Sequence, residues 1–180
     1  EVGFLVAPSG MTYVTPVSSI VYYGQESGSD ASLIMSGLGF SYDDLFIDPV
    51  AAYNAGEDDG GLLVAGASLL TAVSAGAALV SNATGETATE SAKAVFEQLA
   101  QQGSDALQSF IADGVSTTDS TTVMATVLTN TFAAKSMTID PSTIASTASS
   151  IGNVVDQLRN SKTAAGSLDV SAAQVFANIG

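Results

Sequence analysis

The chain has 180 residues, 46% of them hydrophobic, and four Lys plus Arg against eighteen Asp plus Glu give it a formal net charge of -14. That length suits one domain with a core of its own. The absence of His and Cys excludes imidazole bases, thiol nucleophiles, thiolate metal sites and disulfides, and the scattered Lys93, Lys135, Arg159 and Lys162 form no basic stripe for nucleic acid or an anionic membrane surface.

In chain order, Gly3 to Val14 reads as strand, turn, strand: Phe4, Leu5 and Val6, then Ala7-Pro8-Ser9-Gly10, then Met11-Thr12-Tyr13-Val14. A short β-hairpin is expected over residues 1–15, joined to a helical domain over 16–180. Thr15-Pro16 supplies a capping hydroxyl and a proline at the first helical position, so a helix should run from there to about Gly24. Asp30 is placed to cap a short helix carrying Leu33, Ile34 and Met35, which Gly37 and Gly39 should end. Asp48-Pro49 repeats the cap-then-proline start for a helix through Tyr53 that stops before Gly56.

Leu62 to Val80 contains no charge and is long enough to span a bilayer, which takes about 20 apolar residues. Its flanks, Glu57-Asp58-Asp59-Gly60-Gly61 and Ser81 to Gly85, carry no Lys, Arg, Trp or Tyr. Without such anchors a buried central helix is expected and membrane insertion is not. Four further helices follow, at about Ala88–Gln102, Asp105–Asp113, Ser120–Ala134 and Pro141–Asn160, with a shorter one near Ser171–Asn178. Thr87 and Glu90 have capping-box spacing, Ser104 and Asp119 or Ser120 are further cap candidates, and Ser116 to Thr122 reads as a loop. The expected fold is mainly α, an Ala-rich helical bundle of about six to seven helices.

Without His, Ser or Thr nucleophiles would have to be activated by Lys, and the lysines fall on polar faces or in loops. The chain is therefore read as not an enzyme. Asp43, Asp44, Asp48, Glu57, Asp58 and Asp59 are the candidate metal ligands, with Ca²⁺ as the ion, because Ca²⁺ takes carboxylate and carbonyl oxygens. They lack EF-hand spacing, and the competing reading is that Asp48 caps a helix while Asp58 and Asp59 complement a helix dipole. Tyr13, Tyr22 and Tyr23, with the hairpin edge, are the candidate interface, since strand edges and tyrosines both favour association. Equally, these rings would fill the junction between hairpin and helix.

The opening GFLVAPSGMTYVTPVSSI, Gly3 to Ile20, resembles a module that recurs in very large surface and adhesin-like proteins of marine bacteria and cyanobacteria. There a strand with an Ala-Pro-small-Gly turn leads into a Thr-Pro-Leu-Thr-Thr-Leu helix start. The resemblance continues through Leu38-Gly39, Tyr42-Asp43-Asp44-Leu45 and Phe46-Ile47-Asp48-Pro49-Val50-Ala51-Ala52, covering about the first third of the chain. Val17-Ser18-Ser19 stands where Leu-Thr-Thr is usual, and the Tyr22-Tyr23 pair is a departure. The resemblance implies a secreted, repetitive, often Ca²⁺-associated surface protein and brings no catalytic residues. On that footing the chain is a structural module of a surface layer, adhesin or filament. It would lie outside the cell or on a particle surface, with its own subunits or the flanking domains of a larger chain as partners. A virion structural or decoration protein, or a module binding glycan or protein, is the alternative. Glu1 is not an initiator Met, which fits a processed product or an internal segment.

Overall fold

The computed structural model describes residues 3–112 and 116–161. In order along these residues come α1 (Pro16–Glu26), α2 (Ala31–Leu38), a 3₁₀ helix (Tyr42–Phe46), α3 (Pro49–Ala55), α4 (Gly61–Thr84), α5 (Ala88–Ala100), α6 (Ser104–Ile111), α7 (Thr117–Ala134) and α8 (Pro141–Asn160). The protein is mainly helical, as expected, with eight α-helices rather than six or seven among the described residues. The expected short helix near Ser171–Asn178 lies outside them.

Helix starts are set by side chains next to them in sequence. Ser18 donates its N–H to Thr15 Oγ1 at 3.0 Å, and Thr15 donates its own to Ser18 Oγ at 2.9 Å, a reciprocal capping box. Asp30, Asp48 and Asp140 accept first-turn N–H groups of α2, α3 and α8, and Thr87 with Glu90 boxes the start of α5. Such caps are each worth about 1 kcal/mol. Gly39 and Gly56 close α2 and α3 at φ 87° and 72°, a left-handed conformation that a Cβ disfavours.

Packing is organised around α4, which touches α1, α3, α5, α7 and α8. Its Leu69, Ala72, Val73 and Val80 are fully buried and meet Val95, Phe96 and Leu99 of α5 and Val127 and Leu128 of α7 in one core. Small residues make the approach possible. A Cβ on Gly76 would lie 3.2 Å from Leu128 and 3.3 Å from Val95. The apolar stretch of α4 has a mean hydropathy of 2.0, and 61% of it is buried inside the protein.

Several expectations need correction. There is no hairpin: residues 3–15 carry a turn at Ser9-Gly10 but no strand. The reason lies in α1. Val6 donates its N–H to Ser19 Oγ at 2.9 Å, and its carbonyl accepts the Ser19 hydroxyl at 2.9 Å, so the groups a hairpin ladder would use are already bonded to a helix. Phe4, Leu5, Val6 and Met11 pack on the bundle's core, and the segment is an extended arm laid on its own domain rather than an edge offered to a neighbour. The hydroxyl-rich run after Ser116 is helix from Thr117 onward, with Ser116 and Asp119 forming another capping box. Its threonines are satisfied within α7, since Thr122, Thr126 and Thr129 each donate to the carbonyl four residues back. Gly37 does not end α2 but lies inside it, buried against the start of α6, where a Cβ would come within 2.9 Å of Ser104 Cα. Gly103, not Ser104, holds the capping position of α6.

Candidate functional site

The arm, the 3₁₀ helix and α4 enclose an apolar cleft of 210 Å³. Val14 and Val17 border it on one side, Leu45 and Ile47 on another, and Leu63 and Leu70 of α4 form its floor. Gly66 and Ala67 keep that floor low. Local sequence explains how the wall is made. Ser41 and Asp44 box the 3₁₀ helix: Ser41 donates its N–H to Asp44 Oδ2 at 2.7 Å and its hydroxyl to the same oxygen at 2.9 Å. A single short turn then carries Leu45, Phe46 and Ile47 in succession, and they cannot all point inward. Leu45 enters the core, whereas Phe46 and Ile47 remain exposed.

Val14, Phe46 and Val50 are 57%, 49% and 53% exposed; Leu33 on α2 and Val154 on α8 are also exposed, but most of the exposed large apolar side chains among the described residues lie in or next in sequence to the residues lining this cleft. Tyr42 stacks edge-on against Phe46 at 5.9 Å between ring centroids and is itself exposed. Tyr13, Tyr22 and Tyr23, the residues the sequence offered as an interface, are not among those lining this cleft. The signal was present in the consecutive Leu45-Phe46-Ile47, but the partnership of Val14 with Ile47 and Leu63 arises only in the folded chain.

The six candidate metal ligands do not converge. No group of three acidic side chains among the described residues is arranged to hold a metal ion. Asp44 belongs to the 3₁₀ capping box, and Asp48 Oδ1 accepts from Val50 and Ala51 at 2.9 and 3.1 Å. Asp58 accepts the N–H of Gly60 and Asp59 that of Gly61, both at 2.9 Å, which fixes the turn into α4. Asp43 and Glu57 are exposed on the 3₁₀ helix and after α3. The carboxylates are thus mainly spent on starting helices.

The tyrosines divide. Tyr23 is buried, stacks on Phe96 at 5.5 Å and donates its hydroxyl to the Phe4 carbonyl at 3.0 Å, tying the arm to α1 and α5. Burial, then the neighbouring Tyr22 and Glu97, raise its pKa above the ordinary phenol value. Tyr22 meets Tyr23 edge-on and is half-buried, as is Tyr13. Tyr23 therefore fills the junction between arm and helix.

Lys93 pairs with Glu97 at 3.6 Å, and Lys135 donates to Glu86 at 2.6 Å, joining the end of α7 to the α4–α5 turn. Lys162 lies outside the described residues. Arg159 is the unexpected cation, because it is buried. Its Nη1 donates to the Phe110 carbonyl and to Ser120 Oγ, both at 2.9 Å, and its Nη2 lies 3.2 Å from Asp156 Oδ1.

No protein-family model, curated protein or solved structure matches this chain.

Proposed function

We propose that the chain is a non-catalytic structural module of an extracellular surface assembly, such as a surface layer, adhesin or filament, held to neighbouring polypeptide through the cleft between the arm and α4. The observation carrying this reading is an apolar cavity lined by the exposed Val14 and Ile47, with the exposed Phe46 and Val50 next in sequence to its lining residues Ile47 and Pro49. Exposed apolar patches of this kind mark interaction surfaces. A non-catalytic role is supported by the lack of His and Cys and by the ion pairing of Lys93 and Lys135. The outside location rests on the resemblance of the first third of the chain to surface-protein modules.

Two measurements test the reading. Antibody against the chain should label intact, unpermeabilised source cells or particles, and labelling confined to permeabilised cells would overturn the surface location. Replacing Phe46 and Val50 by Ser should release the chain from its assembly while circular dichroism stays unchanged, and full retention would overturn docking through this face. Ca²⁺, if it stabilises the assembly, acts without a three-carboxylate site among the described residues. Chelation is therefore expected to leave the melting temperature of the isolated chain unchanged.

A further inference from the structure

The proposed docking role leaves open what occupies the cleft, and the inference made here rests on that role. The cavity of 210 Å³ has an apolar lining except at Thr15 and Asp44. An apolar cavity of about 150 Å³ takes a benzene ring, so this one accepts a bulky apolar side chain or two. Charge then narrows the occupant. Asp43 and Asp44 sit on the 3₁₀ helix that carries Phe46, and Asp48 directly follows Ile47. No cation lines the cleft. Those among the described residues are elsewhere: Lys93 on α5, Lys135 after α7, and Arg159 buried on α8. A second copy is itself a chain of net charge -14, so two copies repel one another at low ionic strength.

We propose that the cleft between the arm, the 3₁₀ helix and α4 receives an amphipathic segment of a partner polypeptide. Its apolar side chains enter between Val14, Ile47 and Leu63, and its flanking Lys or Arg face Asp43, Asp44 and Asp48. Such a segment uses the groove for affinity and the carboxylates for orientation and speed of encounter.

The probe is a synthetic helical peptide of Leu and Lys with its leucines on one face, titrated calorimetrically into the full chain. Its counterpart with Glu in place of Lys is the control. Saturable binding of one Leu/Lys peptide per chain is expected, weakened about tenfold by Phe46→Ser or Ile47→Ser. Asp43→Asn should weaken it about threefold at low salt, whereas Asp105→Asn, on α6 and outside the cleft, should leave it unchanged. Circular dichroism of each variant checks that the fold persists. Equal loss with Asp105→Asn would reduce the binding to general attraction and overturn the site. Equal affinity for the Leu/Glu peptide would overturn the basic partner but leave docking through the cleft standing. Absence of saturable binding up to about 1 mM peptide also overturns the basic partner, while release of the Phe46 and Val50 variant from the assembly judges the docking role separately. If the chain self-associates and Phe46→Ser abolishes this, a second copy is the occupant. Uptake of peptide only when Phe176 is changed to Ser gives the cleft to the chain's own C-terminal segment. Either result overturns the proposal.

Discussion

Replacing Arg159 by Ala should be among the most damaging single changes outside the apolar core. The guanidinium is buried and joins three helices: Phe110 at the end of α6, Ser120 in the first turns of α7, and Asp156 on its own α8. Hydrogen bonds from a charged donor are worth about 1.5–3 kcal/mol each, so losing those to Phe110 and Ser120 removes about 3–6 kcal/mol before relaxation. Two features reduce this. Ser120 itself donates to the Phe110 carbonyl at 3.2 Å, so that carbonyl keeps a partner, and the Asp156 side chain is 33% exposed and can be hydrated. The expected loss is about 3 kcal/mol, the lower end for breaking a buried ionic contact. In urea, with a slope of about 1–3 kcal/mol per molar, the midpoint should fall by about 1–3 M at constant slope.

Arg159→Met separates charge from packing. It keeps the aliphatic stem and removes the cost of burying a cation, so it should lose about 1–2 kcal/mol. A cycle with Ser120→Ala should show coupling of about 1 kcal/mol. If Arg159→Ala shifts stability by less than about 0.5 kcal/mol, with no coupling to Ser120, Arg159 does not hold α6, α7 and α8 together and the reasoning is wrong.

Other perturbations test the packing and the caps. Gly152→Ala would drive a methyl group into Thr121 Oγ1 and to within 3.1 Å of the Thr117 carbonyl, so a loss of about 1–3 kcal/mol is expected in urea denaturation; an unchanged midpoint would contradict the close α7–α8 contact. The hydroxyls of Ser68 and Ser91 are buried without a hydrogen-bond partner, so Ser68→Ala and Ser91→Ala should each be neutral or stabilise by up to about 1 kcal/mol, and a loss of that size would reveal a missing partner. Glu90 is held below the ordinary carboxylate range by the Thr87 hydroxyl and backbone N–H, and Asp140 by the Ser142 backbone N–H and hydroxyl. A carboxylate whose pKa is lower in the folded state stabilises above its unfolded value and loses that contribution as pH falls through the folded value. The melting temperature should therefore drop between about pH 5 and pH 2, and less steeply in the Glu90→Gln, Asp140→Asn double variant; parallel curves would refute the assignment.

What the sequence makes legible here is what neighbouring residues decide. Thr15-Pro16, Asp30, Asp48-Pro49, Thr87 with Glu90 and Asp140-Pro141 each start a helix where their local chemistry says one should start. The arm reads as a hairpin because Phe4-Leu5-Val6 and Met11 to Val14 have strand composition, while the groups that satisfy Val6 are hydroxyls on α1, beyond the intervening turn. Ser116 to Thr122 looked like a loop by composition, yet the Ser116-x-x-Asp119 spacing is itself a helix start. Arg159 stands four residues after Val155 and eight after Ile151, a spacing that sets it on the buried face of α8, but composition alone reads it as one more scattered cation, and its partners on α6 and α7 lie out of reach of any local reading.

The candidate site sits at the boundary between these two kinds of information. Asp44 and Asp48 are the same acids that suggested a cation site, and the structure gives both of them to helix starts. Their caps bring Leu45-Phe46-Ile47 into a turn too tight to hide all three side chains, so ordinary capping chemistry leaves Phe46 and Ile47 outside. The charge left on those capped carboxylates is not neutralised by any cation lining the cleft. Acid and apolar surface are therefore built together by one local device, and a partner that satisfies one of them must also meet the other. This is why the Leu/Lys and Leu/Glu peptides, identical in their apolar face, provide the comparison that decides whether charge selects the occupant.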